Sequence, residues 1–197
     1  MNLANKLTMS RIYMAVVIIL LLLFPFEQLG INLPTFLVNG RVEIELTSII
    51  AGILFIVASI TDFFDGRVAR KYNYVTDFGK MIDAISDKVL TNSVLIILAC
   101  NHKVAPIICV IIVIRDIVVD SLKMLVGNKG KAVAAIGIAK WKTATLMFGL
   151  IFALFENMPF ILFDIKISDY LLIIAAVLSI VSALEYYKMA KVYLKEK

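Results

Sequence analysis

The sequence predicts an all-α integral membrane protein, with six transmembrane helices and a polar active-site cavity facing the cytoplasm. Three observations carry that expectation. Hydrophobic residues make up 61% of the 197-residue chain, and its mean hydropathy is +0.95. A soluble chain of this length has too little interior to hide so much apolar surface. The apolar residues fall in six runs parted by short polar breaks, and four aspartates gather where two of those runs meet. The length predicts one domain over residues 1–197.

Asn5, Thr8 and Arg11 precede an apolar run from Ile12 to Phe26. A basic start before such a run imitates a signal peptide, but no small-residue cleavage site follows. The run is read as helix 1, about 12–26; it is short for the hydrocarbon core, so the helix is expected to begin upstream, with residues 1–11 as a juxtamembrane surface-lying segment. In the connection to helix 2, Asn39-Gly40 stands between β-prone flanks over residues 35–46, which fits a hairpin or an irregular loop. The remaining helices are expected at about 47–70, 76–100, 104–126, 139–155 and 168–192.

The net charge of +5 raises a nucleic-acid partner, but the basic residues sit at helix ends, where membrane topology explains them better. Lys6, Arg11, Arg67, Arg70, Lys71, Lys123, Lys140, Lys142 and the tail lysines fall on one side, and Arg41, Lys103 and Lys166 on the other. The positive-inside rule puts both termini and the aspartates on the cytoplasmic side of a bacterial cytoplasmic membrane. Trp141, Tyr186, Tyr187 and Tyr193 are expected at that interface. Cys100 and Cys109 have no metal-ligand spacing; packing is the expected role, with a disulfide the alternative. His102 is expected to do nothing catalytic.

The aspartates organise the chain. On a helix, Asp62 and Asp65 lie within about 60° of each other and share a face with Gly66 and Ala69. Gly79, Asp83 and Asp87 recur every four residues on the next helix. Folding the two helices together would gather four carboxylates, which repel unless cations intervene. Oxygen-only ligation suits Mg²⁺ or Mn²⁺, commonly beside phosphate oxygens. The alternative is a solvated charged loop between two helices.

Arg115 and Asp116 lie inside helix 4, where ionisable residues are costly. They fit either a functional site or a pair that only ties helices together. Lys140 and Lys142 enter helix 5 close enough in topology to share a cavity with Arg115 and Lys123, and such a cluster suits a phosphorylated acceptor. The stretch between helices 4 and 5 holds glycines and lysines, yet contains no P-loop.

These residues carry a resemblance. D-x-x-D-G-x-x-A-R, then eight residues, then G-x-x-x-D-x-x-x-D, is read here at Asp62, Asp65, Gly66, Ala69, Arg70, Gly79, Asp83 and Asp87. The pattern resembles the CDP-alcohol phosphotransferase family. Within it, the chain is most similar to bacterial members that make phosphatidylglycerophosphate. They share N-x-x-T-x-x-R (Asn5, Thr8, Arg11), an Arg-acid pair in helix 4 and a lysine-rich entry to helix 5. Asp116, Ala139 and Leu146 depart from the glutamate, glycine and glutamine usual in those members.

The resemblance implies transfer of a phosphatidyl group from CDP-diacylglycerol to sn-glycerol 3-phosphate with release of CMP, by a homodimer using two divalent cations. It implies metal ligation by Asp62, Asp65, Asp83 and Asp87, with Asp87 also the base. Asn5, Thr8, Asp62, Gly66, Ala69, Arg70 and Gly79 would bind the nucleotide lipid. Arg115, Lys123, Lys140 and Lys142 would bind the acceptor's phosphate. Inositol phosphate, serine or phosphatidylglycerol are alternative acceptors, and a cation or proton transporter is the reading from another class.

Overall fold

The computed structural model describes residues 3–38, 42–72, 77–127 and 136–195; the side chains of 3–8, 62–72, 77–81, 83, 84 and 193–195 are outside the description. Six helices carry the chain: α1 (Leu3–Leu23), α2 (Leu46–Tyr72), α3 (Asp77–Cys100), α4 (Pro106–Gly127), α5 (Gly137–Leu154) and α6 (Ile167–Lys195). Helix α1 begins upstream of the apolar run, as expected, and is continuous with it, but it ends at Leu23 rather than Phe26.

Between α1 and α2 the hairpin reading holds. Strand β1 (Thr35–Val38) pairs antiparallel with β2 (Val42–Glu45), with Val38 opposite Val42. Asn39 and Gly40, which prompted the expectation, lie outside the described residues. Only Ile44 of β2 is buried.

Helix α1 packs on α2 and α3, and α6 packs on α4 and α5. Their shared core includes Ile18, Phe55, Leu90, Leu98, Ile112, Leu150 and Leu172. Small residues let the helices approach closely, as membrane bundles require when apolar surface gives no net drive between helices. A Cβ on Gly149 of α5 would stand 2.8 Å from Leu172 Cγ and Cδ2 on α6; one on Gly52 of α2 would stand 2.6 Å from the Phe155 ring.

The outside is apolar too. Ile107, Ile114 and Ile117 on α4 and Val177 and Leu184 on α6 are each more than half exposed. A continuous apolar exterior of this kind needs lipid or a partner to cover it. Two described helices are long and apolar enough to cross a membrane: α5, and α6 over Ile167–Val192.

Helices α3 and α5 end in the same way. After α3, His102 adopts φ 57°, its N–H donates to Ala99 O, and the Lys103 N–H donates to Leu98 O. After α5, Glu156 adopts φ 50°, its N–H donates to Ala153 O, and the Asn157 N–H donates to Phe152 O. Each is a Schellman closure that satisfies the last carbonyls, here with a side chain at the left-handed position where glycine is usual. Pro106 then opens α4, where its missing N–H costs nothing.

Filling the close approach of α5 to α6 tests this packing. Gly149→Val is expected to destabilise the protein by about 1–3 kcal/mol, measured as thermal unfolding in detergent, whereas Ile114→Val on the apolar exterior leaves unfolding nearly unchanged.

Candidate active site

Helix α2 stays helical through Tyr72, so Asp62, Asp65, Gly66, Ala69 and Arg70 belong to one continuous helix. Helix α3 holds Gly79, Asp83 and Asp87 at successive four-residue intervals. The side chains of Asn5, Thr8, Asp62, Asp65, Gly66, Ala69, Arg70, Gly79 and Asp83 lie outside the described residues. Asp87 is described and half-buried, and its backbone carbonyl accepts a 2.9 Å bond from Thr91 Oγ1. Beside it, fully buried Ser86 accepts a 3.2 Å bond from Arg11 Nη1. Arg11, 1% exposed, thereby ties α1 to α3 one residue from Asp87.

A second group of ionisable residues assembles around Asp116 of α4. Its carboxylate accepts from Arg115 Nη1 at 2.9 Å. Lys142 Nζ of α5 donates to both its oxygens, at 2.8 and 3.1 Å. Arg115 Nη2 reaches α6, donating to Ser182 Oγ at 2.7 Å. The site thus joins three helices, Asp116 tying α4 to α5 and Arg115 tying α4 to α6. Asp116 neutralises only one of the two cations it holds, so the group keeps a net positive charge.

Tyr186, one turn beyond Ser182 on α6, backs this group. The Arg115 guanidinium lies 5.8 Å from its ring centroid and the Lys123 ammonium 4.8 Å, inside cation–π range. Its hydroxyl accepts a 3.4 Å bond from the Ile136 N–H where α5 begins. Tyr186 is 2% exposed and packs inside the bundle, whereas Trp141 and Tyr187 are exposed on its outside. Lys88 of α3 pairs with Asp120 of α4. Lys142 lies close enough to Asp87 to feel its charge, and Lys88 close enough to feel Asp116, Lys123 and Lys142.

Of the cations expected on an acceptor's phosphate, Arg115, Lys123 and Lys142 are thus brought together. Lys140 is not. Two residues from Lys142, it points about 200° away around the helix and is exposed. Tyr186, Ser182 and Asp120 were missed, although Ser182–Tyr186 and Asp116–Asp120 each have the four-residue spacing of one helix face. Cys100 and Cys109 are free thiols, so no disulfide joins them. Among the described residues no three His, Cys, Asp or Glu side chains come together as metal ligands do.

Two continuous helices carry the aspartate spacing, and the second passes beside the buried Arg115–Asp116–Lys142 group. The model of the CDP-alcohol phosphatidyltransferase family matches residues 1–182, and the chain belongs to that family. Among its relatives, a Bacillus subtilis protein is 35% identical over 94% of this chain and 93% of its own length. One from Rickettsia bellii is 38% identical over 98% and 97%, and one from Haemophilus influenzae 30% identical over 82% and 88%. All three are named CDP-diacylglycerol–glycerol-3-phosphate 3-phosphatidyltransferase.

Removing the shared carboxylate tests the cluster. Asp116→Ala leaves Arg115 and Lys142 uncompensated among buried groups, which is expected to cost about 3–5 kcal/mol of stability. Thermal unfolding in detergent measures it, and Asp116→Glu is expected to recover most of the loss.

Proposed function

We propose that the chain transfers the phosphatidyl group of CDP-diacylglycerol to sn-glycerol 3-phosphate, giving phosphatidylglycerophosphate and CMP. The observation that carries this reading is the buried Arg115–Asp116–Lys142 group, whose helix α4 is tied to α3 beside Asp87 by the Lys88–Asp120 pair. It stands in a chain of this family whose relatives bear that name across nearly their whole length. A phosphorylated acceptor is what such a group would recognise.

In this reading the whole chain is one membrane domain with six spans, both termini and the site facing the cytoplasm, working as a homodimer. The bias of lysine and arginine toward the aspartate end supports that orientation. The donor's acyl chains stay in lipid and its head group reaches the site, while the acceptor arrives from water. The acceptor hydroxyl attacks the phosphatidyl phosphorus, the bond from that phosphorus to the bridging pyrophosphate oxygen breaks, and CMP leaves. Asp87 takes the hydroxyl proton.

Asp62, Asp65, Asp83 and Asp87 offer only carboxylate oxygens, a donor set that fits Mg²⁺ or Mn²⁺. Two such ions, when bound, supply charge neutralisation on the pyrophosphate. Gly66, Ala69 and Gly79 leave room for the nucleotide, Arg70 pairs with phosphate, and Asn5 and Thr8 cover the nucleotide from α1. Arg115, Lys142 and Lys123 bind the acceptor's phosphate, and Lys140, turned away from them, does not.

Purified protein with labelled CDP-diacylglycerol and a divalent cation is expected to release CMP with sn-glycerol 3-phosphate and to form phosphatidylglycerophosphate. A lipid product formed instead from serine, inositol phosphate or phosphatidylglycerol would replace the acceptor. Asp87→Asn is expected to lower kcat by about 100-fold or more while CDP-diacylglycerol binding persists; lost binding with unchanged kcat would refute the base. Lys123→Ala is expected to raise the KM for sn-glycerol 3-phosphate about tenfold, with no rise for Lys140→Ala and none for the donor; equal rises for both substrates would make Lys123 structural.

A further inference from the structure

A cavity of about 610 Å³ lies at the opposite end of the bundle, between the α3–α4 turn, the α5–α6 connection and the hairpin. From Asp83 to Cys100, α3 climbs roughly 25 Å, so this space is separate from the aspartates. Its volume is typical of pockets that hold small molecules. Three of the four non-glycine residues with positive φ among the described residues, His102, Glu156 and Asn157, line it.

The polar groups in the cavity are placed rather than scattered. Asn157 is 8% exposed, and its Oδ1 accepts the Ser168 N–H at 2.7 Å, capping the start of α6. Its amide nitrogen therefore keeps two donors with no partner among the described residues. Lys103 is held by Glu156 at 2.5 Å and by Ser48 Oγ at 3.4 Å. Lys166 contributes an exposed ammonium, and half-buried Asp169 a carboxylate. Ile108 and Ile173 form an apolar wall, and Ile173, with Ile107 beside the cavity, opens onto the apolar exterior.

The geometry points to a binding site for one phospholipid whose head group ends in a primary ammonium. Its phosphate takes the Asn157 amide donors and the Lys166 and Lys103 ammoniums. Its own ammonium donates to Asp169, and its glycerol carbons lie on the Ile108–Ile173 wall. Donors and acceptors side by side suit a zwitterion better than an anion, because Asp169 and Glu156 would repel a second negative charge. The open apolar side favours a lipid over a water-soluble ligand. The inference uses the membrane setting proposed above but none of the transfer chemistry.

Native mass spectrometry of the protein in nanodiscs of mixed phosphatidylethanolamine, phosphatidylglycerol and phosphatidylcholine tests it. One phosphatidylethanolamine is expected to stay bound in preference to the other two. Asn157→Asp keeps the oxygen that caps α6 and removes both donors; Asp169→Asn removes the ammonium's partner. Each is expected to lower retention about tenfold, with thermal unfolding and CMP release in detergent unchanged. Equal retention by both variants, or phosphatidylcholine held as firmly, would overturn the site. Uptake of free phosphoethanolamine without the lipid would make it a soluble-ligand pocket and overturn the lipid assignment. Loss of CMP release in either variant would join the cavity to the transfer site and overturn its independence.

Discussion

One buried carboxylate sets the arrangement of half the molecule. Asp116 is 6% exposed and takes hydrogen bonds from both Arg115 and Lys142. Each of these charges alone would be expensive away from water, and only their mutual arrangement makes the three tolerable. Because Arg115 also reaches Ser182, the same contact fixes α4, α5 and α6 in rotation and in height. Lys88 with Asp120 extends the tie to α3.

Such ties matter more here than in a soluble bundle. Where the surroundings are as apolar as the core, burying Leu150 or Leu172 gives little net drive toward assembly, and close packing must do the work. Gly149 and Gly52 meet Leu172 and Phe155 at distances that leave no space for a side chain. Polar contacts then specify which of several similar apolar faces meet. Arg11 with Ser86 does so for α1 and α3, next to Asp87. The residues that hold the bundle and those that would do chemistry are therefore neighbours at one end.

Much of this was legible in the sequence, and for physical reasons. Helices of this length leave long apolar runs, so the α2 and α3 boundaries fell within a residue or two of expectation. The end of α1 did not, because apolar Phe24–Phe26 carries the hydrophobic run past Leu23, where the helix stops. The spacing of the motif aspartates anticipated the two continuous helices that carry them. The place of Tyr186 was not legible, since a tyrosine near a charged helix end satisfies the interfacial pattern equally well, and only three-dimensional packing reveals that this ring is buried under Arg115 and Lys123. Lys140 and Lys142 were taken together because they are close in sequence, yet helical geometry separates what two residues of spacing joins.

The same geometry explains why an acid belongs in a site proposed to attract a phosphate. Without Asp116 the cluster would carry more positive charge, but Arg115 and Lys142 would repel and separate, and each would seek water. With it, both cations are held in place before any acceptor arrives, and the excess positive charge remains for the ligand. A donor set fixed in advance costs little reorganisation when an anion binds, which is worth more than an additional mobile charge. Tyr186 works in the same sense, since its ring holds Lys123 beside Arg115 without neutralising either. In the proposed reaction, selectivity for a phosphorylated acceptor thus rests on how few ways these cations can move, with Asp116 as the residue that restrains them.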